Sequence, residues 1–228
     1  MTGELSVLFC DNHLLVLDKP AGIPTVPDSS GDESLLDRAR AWVRERFGKP
    51  GDVFLGVVQR LDRPVSGVIV FARTSKAAAR LTQQQKERRM RKLYWGVGEG
   101  RAPAESGVLE QWLLKDEDKN RVRVLAGPAG GARRAVTRWR ALEEREGFTL
   151  YELAPETGRP HQLRICAATL GTPLAGDLKY GAREPLPGKS IALHARRLEL
   201  EHPTRGGSLS FVARAPSQGV WGFATCRS

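Results

Sequence analysis

The 228-residue chain lacks the features that mark membrane, secreted and disulfide-rich proteins. It has no run of about 18 apolar residues, which a membrane-spanning helix requires. Its first twenty residues lack the basic segment and long apolar stretch of a secretion signal. Its cysteines are odd in number and widely spaced, which argues against a disulfide framework and a four-cysteine zinc site: Cys10, Cys166 and Cys226. This composition favours a protein of the reducing cytoplasm.

Motifs of several enzyme classes are also missing. The four histidines are scattered, with no HxxxH or CxxC spacing, so no metal is expected. His161 and Cys166 are five residues apart, which places them about 140° apart on a helix and unsuited to one metal ion. The chain has no GxSxG elbow of a serine hydrolase. The stretch "AGPAGGARR" lacks phosphate-loop spacing and indicates a hairpin connection.

Positive charge is in clear excess. The chain carries 36 Lys and Arg against 26 Asp and Glu, a net charge of +10, and its pI is about 10.0. Excess positive charge favours polyanionic partners, because binding to phosphates releases counterions. No basic amphipathic helix is evident, so nucleic acid is favoured over a membrane surface.

Hydrophobic periodicity predicts three helices. The first has a capping box formed by Ser34 and Asp37, the second starts at Ser75 as N-cap, and the third has Pro160 at its first position. Six residues of the first helix recur at helical spacing and are predicted to face the core: Leu35, Leu36, Ala39, Trp42, Val43 and Phe47. The predicted helical segments are 34–47, 75–90 and 158–171.

Strand-like segments outnumber the helices and are joined mostly without helical crossovers. They include "LLVLDK", "VFLGVVQR", "GVIVFART" and five segments between residues 92 and 157, with more near the end of the chain. Alternation around Arg138 and Trp139 indicates a sheet with one solvated face. The pattern predicts an α+β fold with a largely antiparallel sheet.

Two clusters of residues could carry chemistry. In "VVQRLDRPVSGVIVF", residues 57–71, Asp62 lies between Arg60 and Arg63. Taken alone this pattern favours a structural salt bridge, and the alternative is an active-site acid held ionised by its neighbours.

The second cluster crowds a predicted helix start with hydrogen-bond donors: Arg159, His161, Gln162 and Arg164. Because a helix N-terminus already carries partial positive charge, this cluster suggests a nearby anion. That anion could be a phosphate or Asp62, and a plain surface helix start is the alternative.

Five ordered blocks resemble the RluA-type pseudouridine synthases. "QRLDRPVSGVIVFART" resembles the family's "HRLDxxTSGLLLFAK", and "ETGRPHQLRICAATLGTPLAGDLKYG" resembles its "xTGRxHQIRxHxxxxGxPIxGDxxYG". "CDNHLLVLDKPAGIPT", "MRKLYWGVGEG" and "IALHARRLELEHP" resemble its opening, central and closing blocks. Three positions depart from the family pattern: Gln59 and Cys166 replace histidines, and Val65 replaces a threonine.

The resemblance implies a mixed, mainly antiparallel sheet core in two lobes with a central catalytic cleft. Residues 1–216 would form the catalytic domain and 217–228 a C-terminal tail, without an S4 domain. The implied activity is isomerisation of uridine to pseudouridine in a tRNA or 23S rRNA stem-loop, without cofactor or metal. We expect a cytoplasmic protein, with a monomer as the default state.

The resemblance also assigns roles to single residues. Asp62 occupies the catalytic aspartate position, Arg164 matches the arginine that pairs with it, and Tyr94 matches the tyrosine that packs on the target base. The residues expected to contact RNA are Arg60, which would help flip the nucleotide, Arg63, Arg159, His161 and Gln162. The alternatives are a non-catalytic RNA-binding or RNA-folding protein and a small-molecule hydrolase using Asp62 and His161.

Overall fold

The computed structural model describes residues 5–48, 50–116, 118 and 120–222, so Cys226 and Lys49 lie outside the described residues. The strands and α-helices follow one another as β1 (Val7–Cys10), β2 (Leu14–Lys19), α1 (Leu35–Phe47), β3 (Gly56–Val57), β4 (Ser66–Ala72), α2 (Ser75–Lys86), β5 (Arg91–Glu99), β6 (Ser106–Asp116), β7 (Arg121–Leu125), β8 (Arg133–Arg145), β9 (Phe148–Pro155), α3 (Gln162–Thr169), β10 (Leu193–Glu201) and β11 (Ser208–Val212). No helix in this part of the chain is long and apolar enough to span a membrane.

The chain divides into two compact units. The first comprises residues 1–91 and 195–214, and the second comprises residues 92–194 and 215–228. Strands dominate both units, and the pairs β1–β2, β2–β4, β5–β9, β6–β7, β6–β8, β8–β9 and β10–β11 are all antiparallel. The predicted α+β fold with a mainly antiparallel sheet is therefore confirmed.

In the first unit, β2 is the buried centre of the sheet. Leu14, Leu15, Val16 and Leu17 are fully buried, and β2 pairs with β4 in a register that sets Lys19 opposite Gly67. Gly67 has a φ of +111°, and a Cβ built there would lie 2.5 Å from the amide nitrogen of Ala195 in β10. Only glycine permits this approach of β4 to β10, because a positive φ disfavours side chains and the space is taken by main chain.

The first helix begins as the sequence predicts. The hydroxyl of Ser34 accepts from the amide of Asp37 at 3.2 Å, and the Asp37 carboxylate accepts from the amide of Ser34 at 3.3 Å. Four of the six residues predicted to face the core are buried, whereas Trp42 is half-buried and Phe47 is 47% exposed. The Phe47 ring instead lies under the guanidinium of Arg73, whose central carbon is 4.2 Å from the ring centroid.

Two further predictions for the first unit are wrong in detail. The N-cap of α2 is Thr74, whose hydroxyl accepts from the amide of Ala77 at 3.1 Å, so Ser75 is already helical. The segment "VFLGVVQR" forms only the two-residue strand β3, at Gly56–Val57. A strand needs a partner along its length, and β3 pairs with β4 only at Ala72 and Phe71.

In the second unit the strand order is β5-β9-β8-β6-β7. Thr137 and Trp139 of β8 are buried while Arg138 and Arg140 are exposed, which confirms the predicted solvated face. The start of α3 differs from the prediction: His161 has a left-handed φ of 53°, so the helix begins at Gln162 and Pro160 lies outside it.

Candidate active site

Asp62 lies in a tight turn of the first unit. The amide of Val65 donates to the carbonyl of Asp62 at 3.0 Å, which closes the turn through Arg63 and Pro64. Leu61 and Val65 on either side are buried, while Asp62 is half-buried. The apolar neighbours anchor the turn and leave the carboxylate at its surface.

A buried hydroxyl fixes the residue before Asp62. The Thr25 Oγ1 donates to the carbonyl of Leu61 at 2.7 Å and accepts from the amide of Leu61 at 3.1 Å. Thr25 is 4% exposed, so these bonds replace water that cannot reach the Leu61 main chain. Thr25 thus binds both the amide and the carbonyl of Leu61, the residue immediately before Asp62.

A buried lysine fixes the residues after Asp62. Lys19, the last residue of β2, is fully buried, and its ammonium donates to the carbonyls of Pro20 (3.0 Å), Arg63 (3.1 Å) and Val65 (2.7 Å). These acceptors match the three donors of an ammonium group. Burial lowers the pKa of Lys19 to about 7, while the charge of Asp62 raises it. Lys19 therefore attaches the turn to the sheet and places a cation near the Asp62 carboxylate.

The two arginines beside Asp62 differ in environment. Arg60 is exposed. Arg63 forms ion pairs with Asp28 at 3.0 Å and Asp32 at 2.5 Å, both on the loop that follows β2. A phosphate contact at Arg63 therefore has to compete with two carboxylates.

Tyr94 and the cluster around α3 belong to the second unit. Tyr94 lies in β5, half-buried and opposite Leu153 of β9. The Arg159 Nε donates to the carbonyl of Arg134 at 3.0 Å. The cluster of donors predicted from the sequence does gather where α3 begins.

Gln162, which the sequence assigned to RNA contact, is buried and hydrogen-bonded within the protein. It is 4% exposed, and its amide nitrogen donates to the carbonyl of Val136 and the hydroxyl of Thr137, each at 2.9 Å. Its amide oxygen accepts from the Thr157 hydroxyl at 2.8 Å and the Arg159 amide at 3.0 Å. The buried side chain is used inside the protein, where it ties the loop before α3 to β8.

Arg164 is paired with a carboxylate that sequence reasoning did not single out. Its Nε and Nη2 each donate to the carboxylate of Asp177 at 2.7 Å, and both side chains are buried. The central carbon of the guanidinium lies 5.0 Å from the ring centroid of Tyr180. The Tyr180 hydroxyl is 2.6 Å from Nδ1 of His161, and burial raises the pKa of Tyr180.

Cys166 lies two residues after Arg164 in α3, and it is fully buried. Burial raises the pKa of the Cys166 thiol to about 12, so the thiol stays protonated at neutral pH. A protonated, buried thiol is a poor nucleophile and a poor metal ligand. In the part of the chain that the structure describes, no group of three His, Cys, Asp or Glu side chains is arranged to hold a metal ion.

The missed residues had only weak signals in the sequence. Lys19 and Asp177 lie in the blocks "LVLDKP" and "GDLKYG" that carry the family resemblance, but nothing in those blocks names their partners. Thr25 lies in a turn-rich segment without any motif.

The fold is mainly antiparallel, and the chain carries a net charge of +10. The family model described as RNA pseudouridylate synthase matches residues 13–169. The chain belongs to this family, and it is an RNA pseudouridine synthase, an isomerase.

Individual relatives agree. An uncharacterized RNA pseudouridine synthase of Bacillus subtilis, YhcT, is 36% identical over 94% of this chain and 69% of its own length. The dual-specificity RNA pseudouridine synthase RluA of Haemophilus influenzae is 33% identical over 92% of this chain and 93% of its own length. The solved structure of human RNA pseudouridylate synthase domain containing 4 is similar with a TM-score of 0.77 and 25% identity, over 92% of this chain and 88% of that one.

Proposed function

We propose that Asp62 is the catalytic residue that starts cleavage of the bond between uracil and ribose. The observation that carries this proposal is the set of buried hydrogen bonds from Thr25 and Lys19 to the main chain on both sides of Asp62. Two buried polar side chains hold one surface turn, which is the support that a precisely placed reactive group needs.

Arg164 and Tyr94 complete the proposed chemistry. Arg164 would pair with the catalytic carboxylate and favour its anion, and Tyr94 would pack on the target base. The Asp177 contact supports this role for Arg164, because a buried arginine held in one orientation loses little entropy when it binds a second anion. The exposed position of Arg60 supports its role in moving the nucleotide out of the stack.

The RNA-binding surface would include the basic end of α2. Lys86, Arg88 and Arg91 are exposed, and none of them forms an ion pair with any residue that the structure describes. Arg88 has a left-handed φ of 57°, a conformation in which glycine is the usual residue. An arginine at position 88 adds positive charge but strains the main chain locally. The presence of arginine despite this strain supports a role for Arg88 in phosphate binding, together with Arg159 and His161.

The proposed substrate is a uridine in a tRNA or 23S rRNA stem-loop. Support comes from the relative named a dual-specificity enzyme, which this chain matches over nearly its full length. We further propose that residues 1–216 act as the catalytic domain of a cytoplasmic monomer. Light scattering on the purified protein tests the monomer, and a dimer mass would overturn it.

The decisive experiment compares the wild type with Asp62→Asn on total tRNA and on ribosomal RNA. Pseudouridine is measured by mass spectrometry and by carbodiimide-dependent stops of reverse transcription. We expect product from the wild type and none above background from Asp62→Asn, with unchanged RNA affinity. Asp52→Asn makes the same chemical change at an exposed residue of the first unit and is expected to match the wild type.

Equal product from Asp62→Asn and wild type would overturn the assignment of Asp62. A wild-type protein that binds RNA but makes no pseudouridine on any RNA offered would instead support the non-catalytic alternative.

A further inference from the structure

Arg164 is held on two sides by residues that have no assigned role. Its Nε and Nη2 form two parallel hydrogen bonds of 2.7 Å with the two oxygens of Asp177. The ring of Tyr180 covers the guanidinium, with a carbon-to-centroid distance of 5.0 Å. The side chains of Arg164 and Asp177 are only 7% and 1% exposed. A forked pair of this kind fixes both the position and the plane of the guanidinium.

The main chain around Asp177 leaves its carboxylate little freedom. The amide of Asp177 donates to the carbonyl of Leu174 at 2.9 Å, and its carbonyl accepts from Tyr180 at 3.0 Å and Ala182 at 3.1 Å. A Cβ built on the preceding Gly176 would lie 2.8 Å from the side chain of Leu186. The turn that presents Asp177 is therefore closely packed.

Tyr180 is fixed as firmly as Asp177. Its hydroxyl accepts from the amide of Val122 at 3.0 Å and lies 2.6 Å from Nδ1 of His161. The His161 main chain has the left-handed φ of 53° that immediately precedes α3. The ring that covers Arg164 is thus attached both to β7 and to the start of the helix that carries Arg164.

We infer that Asp177 is a positioning residue for the isomerisation, acting through Arg164, and that Tyr180 supports it. The carboxylate holds the Nε–Nη2 edge of the guanidinium, which directs the Nη1 donors away from Asp177. This inference rests on the proposed role of Arg164 as the partner of the catalytic carboxylate. Asp177 also partly neutralises Arg164, so its charge tunes how strongly Arg164 favours an anion.

The test is Asp177→Asn, which keeps the shape but removes the charge and turns one acceptor into a donor. We expect kcat to fall about 10- to 100-fold with little change in KM for RNA, because misplacing a catalytic partner costs rate rather than binding. The limb of the pH–rate profile that reports the catalytic acid should also move to lower pH, because Arg164 is no longer neutralised. A purely structural role would lower the fraction of active enzyme, and hence the apparent kcat, but it would not move the pH profile.

Glu110→Gln is the matched control. Glu110 accepts two hydrogen bonds from Arg134, at 2.5 and 2.6 Å, in the same unit, but this pair is exposed. The same chemical change there should leave kcat, KM and the pH profile unchanged.

Asp177→Glu covers the case in which Asp177→Asn does not fold, because it keeps the charge and only moves the carboxylate. A folded Asp177→Glu enzyme should lose rate, and wild-type kcat in this variant would overturn the inference.

The double variant separates this inference from the proposed function. If Asp177 acts through Arg164, adding Asp177→Asn to Arg164→Met lowers kcat less than twofold further. A full additional loss would show that Asp177 acts independently and would overturn the inference. If Arg164→Met alone is fully active, the proposed role of Arg164 is refuted. If Arg164→Met is inactive but Asp177→Asn is fully active, only the inference about Asp177 is refuted.

Discussion

Thr25→Val tests whether the buried support of the Asp62 turn matters for activity. Valine has nearly the shape of threonine, so the variant removes the hydroxyl without opening a cavity. The amide and carbonyl of Leu61 then lose the partner that they share at 3.1 and 2.7 Å. Because Thr25 is 4% exposed, water cannot take the place of the hydroxyl.

The size of the effect follows from these two bonds. Each buried main-chain group left unpaired costs about 1–3 kcal/mol, and removing the desolvated hydroxyl recovers part of that cost. We therefore expect the free energy of unfolding to fall by about 2–3 kcal/mol. With a denaturant dependence of about 2 kcal/mol per molar urea, the unfolding midpoint shifts down by about 1–1.5 M.

The assay combines urea unfolding with the rate of pseudouridine formation. Thr25→Val should lower kcat at least about tenfold, because the turn that carries Asp62 is displaced, whereas Thr25→Ser keeps the hydroxyl and most of the rate. Thr82→Val is the control, since the Thr82 hydroxyl donates to the carbonyl of Ala78 on the exposed side of α2. A Thr25→Val protein with the midpoint and rate of Thr82→Val would refute the reasoning.

Three more outcomes are expected. In thermal unfolding, Gly67→Ala should lower the free energy of unfolding by more than about 3 kcal/mol, because the added Cβ would collide with main-chain atoms. Gly206→Ala is the control: Gly206 has a φ of 70° but open space around it, so the loss should be about 1 kcal/mol. The pKa of Lys19 falls from 10.5 to about 7 on folding, so between these pH values the unfolded chain binds more protons than the folded chain and the free energy of unfolding rises with pH. Urea unfolding at pH 7 and pH 9 should show this rise for the wild type and not for Lys19→Met. An equal rise in both proteins would contradict the assignment to Lys19. Replacing both Arg88 and Arg91 with alanine should reduce the slope of log affinity against log salt concentration by about 1–2 in filter-binding assays, because each phosphate contact contributes about 0.7–0.9 to that slope. An unchanged slope would show that these two arginines do not contact RNA phosphates.

Local features of the fold could be predicted from the sequence. The capping box at Ser34 and the alternation along β8 are confirmed, because both depend on residues within a few positions of each other. The errors arise where competing local choices have similar energies. Threonine and serine both cap helices well, and the structure uses Thr74 instead of Ser75.

The supporting contacts of the candidate site could not be predicted from local pattern. The Thr25 hydroxyl reaches a residue 36 positions away, and the Lys19 ammonium reaches carbonyls 44 and 46 positions away. A polar side chain that binds main-chain groups leaves no sign of its partner in the sequence, because every residue carries the same carbonyl and amide. The pairing of Arg164 with Asp177 is closer, at 13 positions, but many arginines offer the same donors.

If Arg63 contacts RNA as proposed, its ion pairs affect how the protein distinguishes RNA from other anions. Asp28 and Asp32 compete with any anion for Arg63. The free energy that an anion gains by binding Arg63 is therefore only the difference between its own interaction with the guanidinium and that of the two carboxylates. Small anions gain almost nothing by this exchange, while an RNA strand already bound elsewhere has its phosphate present at high effective concentration. Arg63 would then contribute little to first encounter and more to retention of a strand in the right register. When a phosphate replaces Asp28 and Asp32 at Arg63, the two freed carboxylates attract cations, so this contact should add less to the salt dependence of binding than a phosphate contact at an arginine without such ion pairs.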